Sequence, residues 1–165
     1  MRLTLHTDYA LRTLVYLGVH NDRLTSIREV AGVYGISENH LVKIIHRLGQ
    51  AGFIETIRGR NGGLRLGKPA ASILIGDVVR HTEEDMALVS CMLPGGHAKA
   101  DAKPCLLADC CQLRGVLGEA LDSFIAVLDR YTLADVITDR ERLRLHAPTT
   151  ICLLYTSDAA DDTPC

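Results

Sequence analysis

The sequence predicts a mainly α chain: a winged helix-turn-helix DNA-binding domain followed by a long C-terminal dimerisation helix. Three observations carry that expectation. Apolar residues recur at helical spacing through residues 7–48, broken by glycines into short segments. Two short runs of strand-forming residues flank the glycine-rich stretch Arg58–Gly63. A one-sided apolar stripe then covers about five helical turns between Leu106 and Tyr131.

The first helix is expected from about residue 7 to residue 17, because Leu11, Leu14 and Val15 share a face and Thr7 or Asp8 can cap its start. The second begins at Ser26, which forms an S-x-x-E capping box with Glu29. Ile27, Val30, Ala31 and Tyr34 then follow the i, i+3, i+4, i+7 template until Gly35. After that glycine, Ile36 and Ser37 suit staple and N-cap positions, and Leu41, Ile44, Ile45 and Leu48 repeat the template before Gly49 and Gly52. Two short helices around a glycine turn make a helix-turn-helix. The outward face of its second helix carries Ser37, Asn39, His40, Lys43 and Arg47. Such donors and acceptors reach base edges and phosphates, but they equally suit a solvated helix face.

The next segment separates these alternatives. Phe53–Ile57 and Leu64–Leu66 read as strands, and the Asn61-Gly62 pair between them favours a tight hairpin turn. A hairpin directly after such a helix is a wing. Arg58, Arg60 and Asn61 sit at its tip among glycines that allow close backbone approach, which suits phosphate contact or entry into a minor groove. A nucleotide cradle would need a P-loop Lys-Ser/Thr ending or a G-x-G-x-x-G order, and neither is present. Duplex DNA is therefore the expected partner.

Charge agrees with this division. The net charge of −2 on 165 residues conceals +5 in residues 1–80 and −7 in residues 81–165. The basic half suits a polyanion. With 47% hydrophobic residues, a chain of this length can form a core without disulfides, and collagen-like or wholly disordered classes are excluded. Asp8 and Arg12 interrupt any export signal, and no run approaches the roughly 18 apolar residues of a membrane helix. A cytoplasmic location is expected, where thiols stay reduced and clustered cysteines serve as metal ligands or redox groups.

Past Pro69, residues 73–79 read as one more short helix, and the chain is then irregular to Pro104. All six cysteines lie beyond residue 80. Cys91, Cys105 and Cys111 are separated by thirteen and five residues, with Cys110 beside the last. Thiolates gathered around a Pro/Gly loop and a helix start can enclose a soft metal centre, and no C-x-x-C pair points to zinc. Cys110 and Cys111 could instead act as nucleophile and resolver in a redox enzyme. The stripe after them (Leu113, Val116, Leu117, Leu121, Phe124, Leu128) wants a partner surface, most simply a second copy, since two half-sites on DNA require a dimer.

Four stretches together carry a family resemblance: Thr7–Arg12, Tyr34–Lys43, Arg58–Pro69 and Tyr131–Asp135. The chain resembles the nitric-oxide-sensing NsrR repressors, a group within the bacterial winged-helix family of iron–sulfur regulators that also contains IscR, over residues 1 to about 140. The resemblance implies a homodimeric repressor whose cluster is held by Cys91, Cys105 and Cys111, with Asp8 of the partner subunit as fourth ligand. As an alternative, Asp8 is simply a helix cap. The implied cofactor is a four-iron four-sulfur cluster, with a two-iron two-sulfur cluster as the other option. The implied action is binding of a palindromic operator by the loaded dimer and release when nitric oxide nitrosylates the cluster, which derepresses nitric oxide detoxification genes. Where IscR places a ligating histidine, this chain has Arg114, which favours a nitric oxide sensor over the alternative, a sensor of iron or cluster status. The expected organisation is residues 1–80 as the DNA-binding domain, 81–111 as the cluster-binding loop, 106–148 as dimerisation helix and C-terminal segment, and 149–165 as a non-native or disordered tail.

Overall fold

Thr4 lies in extended backbone (φ −66°, ψ 156°), and its Oγ1 accepts the Thr7 N–H at 3.3 Å, so α1 (Leu5–Val19) starts earlier than the expected Thr7 or Asp8 cap. The reason is long-range. Glu83 accepts from both the Thr4 N–H (2.9 Å) and the Thr4 hydroxyl (3.1 Å), which fixes the chain entering the helix. The computed structural model describes residues 2–93, 105, 107 and 110–146. The suspected tail and the loop from Pro94 to Pro104 therefore lie outside the described residues.

Ser26 caps α2 (Ile27–Tyr34) by accepting the Glu29 N–H at 3.1 Å, which is the serine half of the expected capping box. Glu29 turns its carboxylate to Arg23 and to the Tyr16 hydroxyl (2.8 Å), tying α2 to α1. Gly35 ends α2 at φ +63°, a left-handed conformation that needs no Cβ. The chain reverses there into α3 (Glu38–Gln50), which buries Leu41, Ile44, Ile45 and Leu48. Each is 5% exposed or less, and truncating such a leucine to alanine typically costs about 2–5 kcal/mol.

β1 (Ile54–Ile57) and β2 (Gly63–Leu66) pair antiparallel, with Ile54 opposite Leu66 and Thr56 opposite Leu64. The turn closes one step before the expected Asn61-Gly62 corner. Gly59 takes the positive φ (+117°), and the Gly62 N–H donates to its carbonyl at 3.0 Å. β2 is anchored inward by Leu64, which exchanges both backbone hydrogen bonds with Thr25 (3.0 and 2.8 Å).

A short 3-10 turn, Ala70–Ser72, precedes α4 (Ile75–Thr82), which starts later than residue 73. Then come α5 (Gln112–Leu128), with Cys111 as its N-cap, and α6 (Asp139–His146). The chain leaving α5 returns to the body. Tyr131 accepts the Ile75 N–H at 2.9 Å, Leu133 donates to the Ile73 carbonyl at 2.7 Å, and Leu133 and Ile137 join the buried core. Arg80 of α4 pairs with Asp77 and with Asp129 just past α5, so the two helices are clasped by charge as well as backbone.

His20, the C-cap of α1, is buried with its ring 4.5 Å from that of Tyr16 and 4.7 Å from that of His146 on α6. Its Nε2 has no partner among the described residues. Burial, then Arg23 and His146, hold its pKa below the ordinary imidazole value, against the opposing charges of Glu29 and Asp22. His6 is lowered for the same first reason, with Arg47 next. A base whose folded pKa is depressed contributes stability above its unfolded pKa, about 6.5, that is lost as pH falls below it. The thermal midpoint is therefore expected to drop between pH 7.5 and pH 5.5, and His20→Phe should reduce that drop. Equal slopes for the two proteins in a pH series of melting curves would contradict the assignment.

Candidate functional site

α3 presents two stripes. Leu41, Ile44, Ile45 and Leu48 face inward, while Asn39, Val42, Lys43 and His46 repeat the same spacing two residues earlier and are exposed. At about 100° per residue, an offset of two places them on opposite sides of the helix. The outward stripe contains two residues, Val42 and His46, absent from the sequence-based set. A search for base contacts selects polar side chains, while an exposed valine in a predicted helix resembles core.

Ser37, Asn39, His40 and Lys43 are all exposed at the start of α3 or on its outer face. Ser37 occupies the N-cap position, yet its side chain makes no capping hydrogen bond, so its hydroxyl is free to meet a ligand. Arg47 is half-buried beside α1, close enough for its charge to act on His6. On the wing, Arg58, Arg60 and Asn61 are exposed, whereas Arg65 is held at 2.7 Å by Glu55 across the hairpin. Among the described residues, no acidic partner lies within ion-pair distance of Lys43, Arg58 or Arg60. The helix face and the wing tip thus carry uncompensated positive charge.

The cysteines are distributed differently. Cys91 lies in a 3-10 turn (Ser90–Met92) and is half-buried, as is Cys111, while Cys105 and Cys110 are exposed; all four are free thiols. Cys152 and Cys165 fall outside the described residues. Among the described residues no three His, Cys, Asp or Glu side chains gather as a metal site. The donor chemistry nonetheless fits a soft metal group. Cys111 occupies the N-cap position of a 17-residue helix whose first turn has no acidic residue, and the unpaired N–H groups of such a turn favour negative charge. Asp8 is not a cap in this fold. It receives Arg12 Nε at 2.9 Å, and that guanidinium lies 5.9 Å from the centre of the Tyr34 ring.

Residues 3–139 match the Rrf2 family, described as iron-dependent transcriptional regulators. The chain belongs to the Rrf2 family. Among curated Rrf2-type relatives, it is 50% identical over 145 residues to the HTH-type transcriptional regulator NsrR of Geobacillus kaustophilus, covering 87% of this chain and 95% of that one. It is 46% identical over 142 residues to NsrR of Bacillus subtilis, covering 86% and 93%. Solved structures give the same architecture. CymR, the global cysteine regulator of B. subtilis, superposes with a TM-score of 0.64 at 25% identity, covering 83% of this chain and 96% of that one. IscR of T. potens gives 0.66 at 24%, covering 87% and 90%, and bears on fold alone.

The winged-helix fold and the role in transcription are thereby established, and the redox-enzyme alternative for Cys110 and Cys111 is set aside. No helix among the described residues is long and apolar enough to cross a membrane.

Wing geometry makes one demand that this Rrf2 chain meets with glycine. A methyl group on Gly62 would run into the Ile57 carbonyl and crowd the Arg58 backbone. Gly62→Ala should therefore displace the wing tip and weaken binding to duplex DNA of any sequence by about fivefold, with helix content unchanged by circular dichroism. An unaltered affinity in a fluorescence-anisotropy titration would show that the wing does not touch DNA.

Proposed function

We propose that this regulator is a homodimeric repressor that carries an iron–sulfur cluster on Cys91, Cys105 and Cys111, occupies a palindromic operator when loaded, and leaves it on exposure to nitric oxide. The observation that carries the reading is the position of Cys111. It starts α5, a helix about 25 Å long whose far end is clasped to α4 by Arg80 and Asp129 and hydrogen-bonded to the body at Tyr131 and Leu133. A change in what holds Cys111 is therefore carried along a stiff element to the winged-helix body.

Bound at these cysteines, the cluster would supply iron that reacts with nitric oxide. Cys91 and Cys105, as ligands of the same cluster, would be tied through it to Cys111, and their release would free the start of that helix. Asp8 is the carboxylate offered to the partner subunit's cysteines. It lies on α1, the helix against which α3, α4 and β2 pack, so its engagement bears directly on the DNA-reading face. A four-iron four-sulfur cluster would take one protein ligand per iron and leave the iron held by oxygen distinct from the three held by thiolates; a two-iron form would also take four ligands. The chain is expected to act in the bacterial cytoplasm.

The exposed face of α5 supports dimerisation. Leu113, Val116 and Val127 are exposed, and no residue of the helix is fully buried. Covering that face with a second copy would give the dimer that two operator half-sites about one DNA turn, roughly 34 Å, apart require. Lys43, Asn39 and His40 then meet base edges, while Arg58 and Arg60 meet phosphate or the minor groove.

Protein isolated without oxygen should be brown, contain acid-labile sulfide, and lose operator affinity on nitric oxide treatment. Cys91→Ala, Cys105→Ala and Cys111→Ala should each be colourless, and Cys110→Ala should stay brown. Unchanged operator affinity after nitric oxide would defeat the sensing mechanism. A second comparison addresses DNA. Lys43→Ala should relax sequence preference more than Arg58→Ala, whereas Arg58→Ala should lower affinity for operator and random duplex alike and reduce the salt slope by about one. Equal losses for both variants on both duplexes would contradict the division of labour.

A further inference from the structure

Val42 has no structural reason to be apolar. It is 50% exposed, while every other aliphatic residue of α3 is 5% exposed or less. Its position on the outer stripe, between Asn39 one turn before and His46 one turn after, keeps it out of the core. Valine is also a poorer helix former than the straight-chain residues, so neither burial nor propensity is served by it. The remaining residues of the stripe are polar, and one isopropyl group among them is too small a patch to hold a protein partner.

The major groove does offer such a group a partner. Of the atoms displayed there, the C5 methyl of thymine is the apolar one. We propose that Val42 is a specificity-determining residue of this regulator, reading the methyl of one thymine in each operator half-site. This rests on α3 being the helix that enters the major groove. β-Branching limits valine in a helix to essentially one rotamer, so its two methyls form a fixed surface rather than an adaptable one. Asn39 and Lys43, at the neighbouring positions of the stripe, would fix the register by hydrogen bonds to adjoining bases. A cytosine at the same place would lose the methyl contact and would turn its N4 amino donor towards an apolar surface that cannot accept from it.

The test begins with a high-affinity duplex selected from a random pool with the cluster-loaded full-length protein. Each thymine is then replaced singly by deoxyuridine, which exchanges the methyl for hydrogen and leaves every hydrogen-bonding group in place. Wild-type protein is expected to lose about three- to tenfold in affinity at one thymine per half-site. In Val42→Ser the penalty at that thymine should vanish, while penalties at other positions remain. Identical penalties in wild type and Val42→Ser at every thymine would overturn the inference and leave α3 as the reading helix. Failure to select any duplex would remove the DNA-binding reading itself, and the inference with it. Because Val42 is half in solvent, Val42→Ser should fold normally, and an unchanged thermal midpoint checks this.

Discussion

The winged-helix body is laid down on α1. This helix has almost no free surface in its second half: Tyr16, Leu17, Gly18 and Val19 are all buried, and Ala10 and Leu14 are inaccessible. α3, α4, α6 and β2 all pack against it. A helix so enclosed must satisfy its buried hydroxyls internally, and it does. The buried Thr7 hydroxyl donates to Thr82 Oγ1 at 2.9 Å, Thr82 donates in turn to the Val78 carbonyl, and Thr13 bonds back to the Tyr9 carbonyl at 2.7 Å. These bonds fix the depth at which α4 meets α1, and with it the origin of everything after α4.

Much of this is legible in the sequence because local rules and tertiary packing agree. Ser26, Gly35 and the stripe from Leu41 to Leu48 specify two helices and the reversal between them with little help from distant residues. Legibility fails where distant residues decide. Thr4 outcompetes Thr7 and Asp8 as a cap because Glu83, far along the chain, holds it. The Asn61-Gly62 pair is a strong hairpin signal, but this loop spans five residues between its strands and bends at Gly59. Leu133 and Ile137 belong to the core, although their spacing after a long amphipathic helix gives no hint that the chain turns back.

The candidate sites divide in the same way. Side chains on the outer face of α3 can be found from helical spacing alone, since exposure on a short helix follows from which residues are buried. Val42 escapes such a reading because an apolar letter suggests core until its neighbours are known to be packed without it. The cysteines can be recognised by type and spacing, but they form no metal-binding group among the described residues, and local pattern does not describe long-range convergence.

The separation of the two stripes on α3 has a consequence for how such a regulator changes over generations. Residues 41, 44, 45 and 48 are packed into the core, and residues 39, 42, 43 and 46 are exposed. Substitutions at the outer four should shift stability by little, typically within about 0.5 kcal/mol, because each points away from the core. On the proposed reading of α3, operator preference can drift at these positions without threatening the fold, so paralogues that share this scaffold can part company over target genes while their cores stay nearly unchanged.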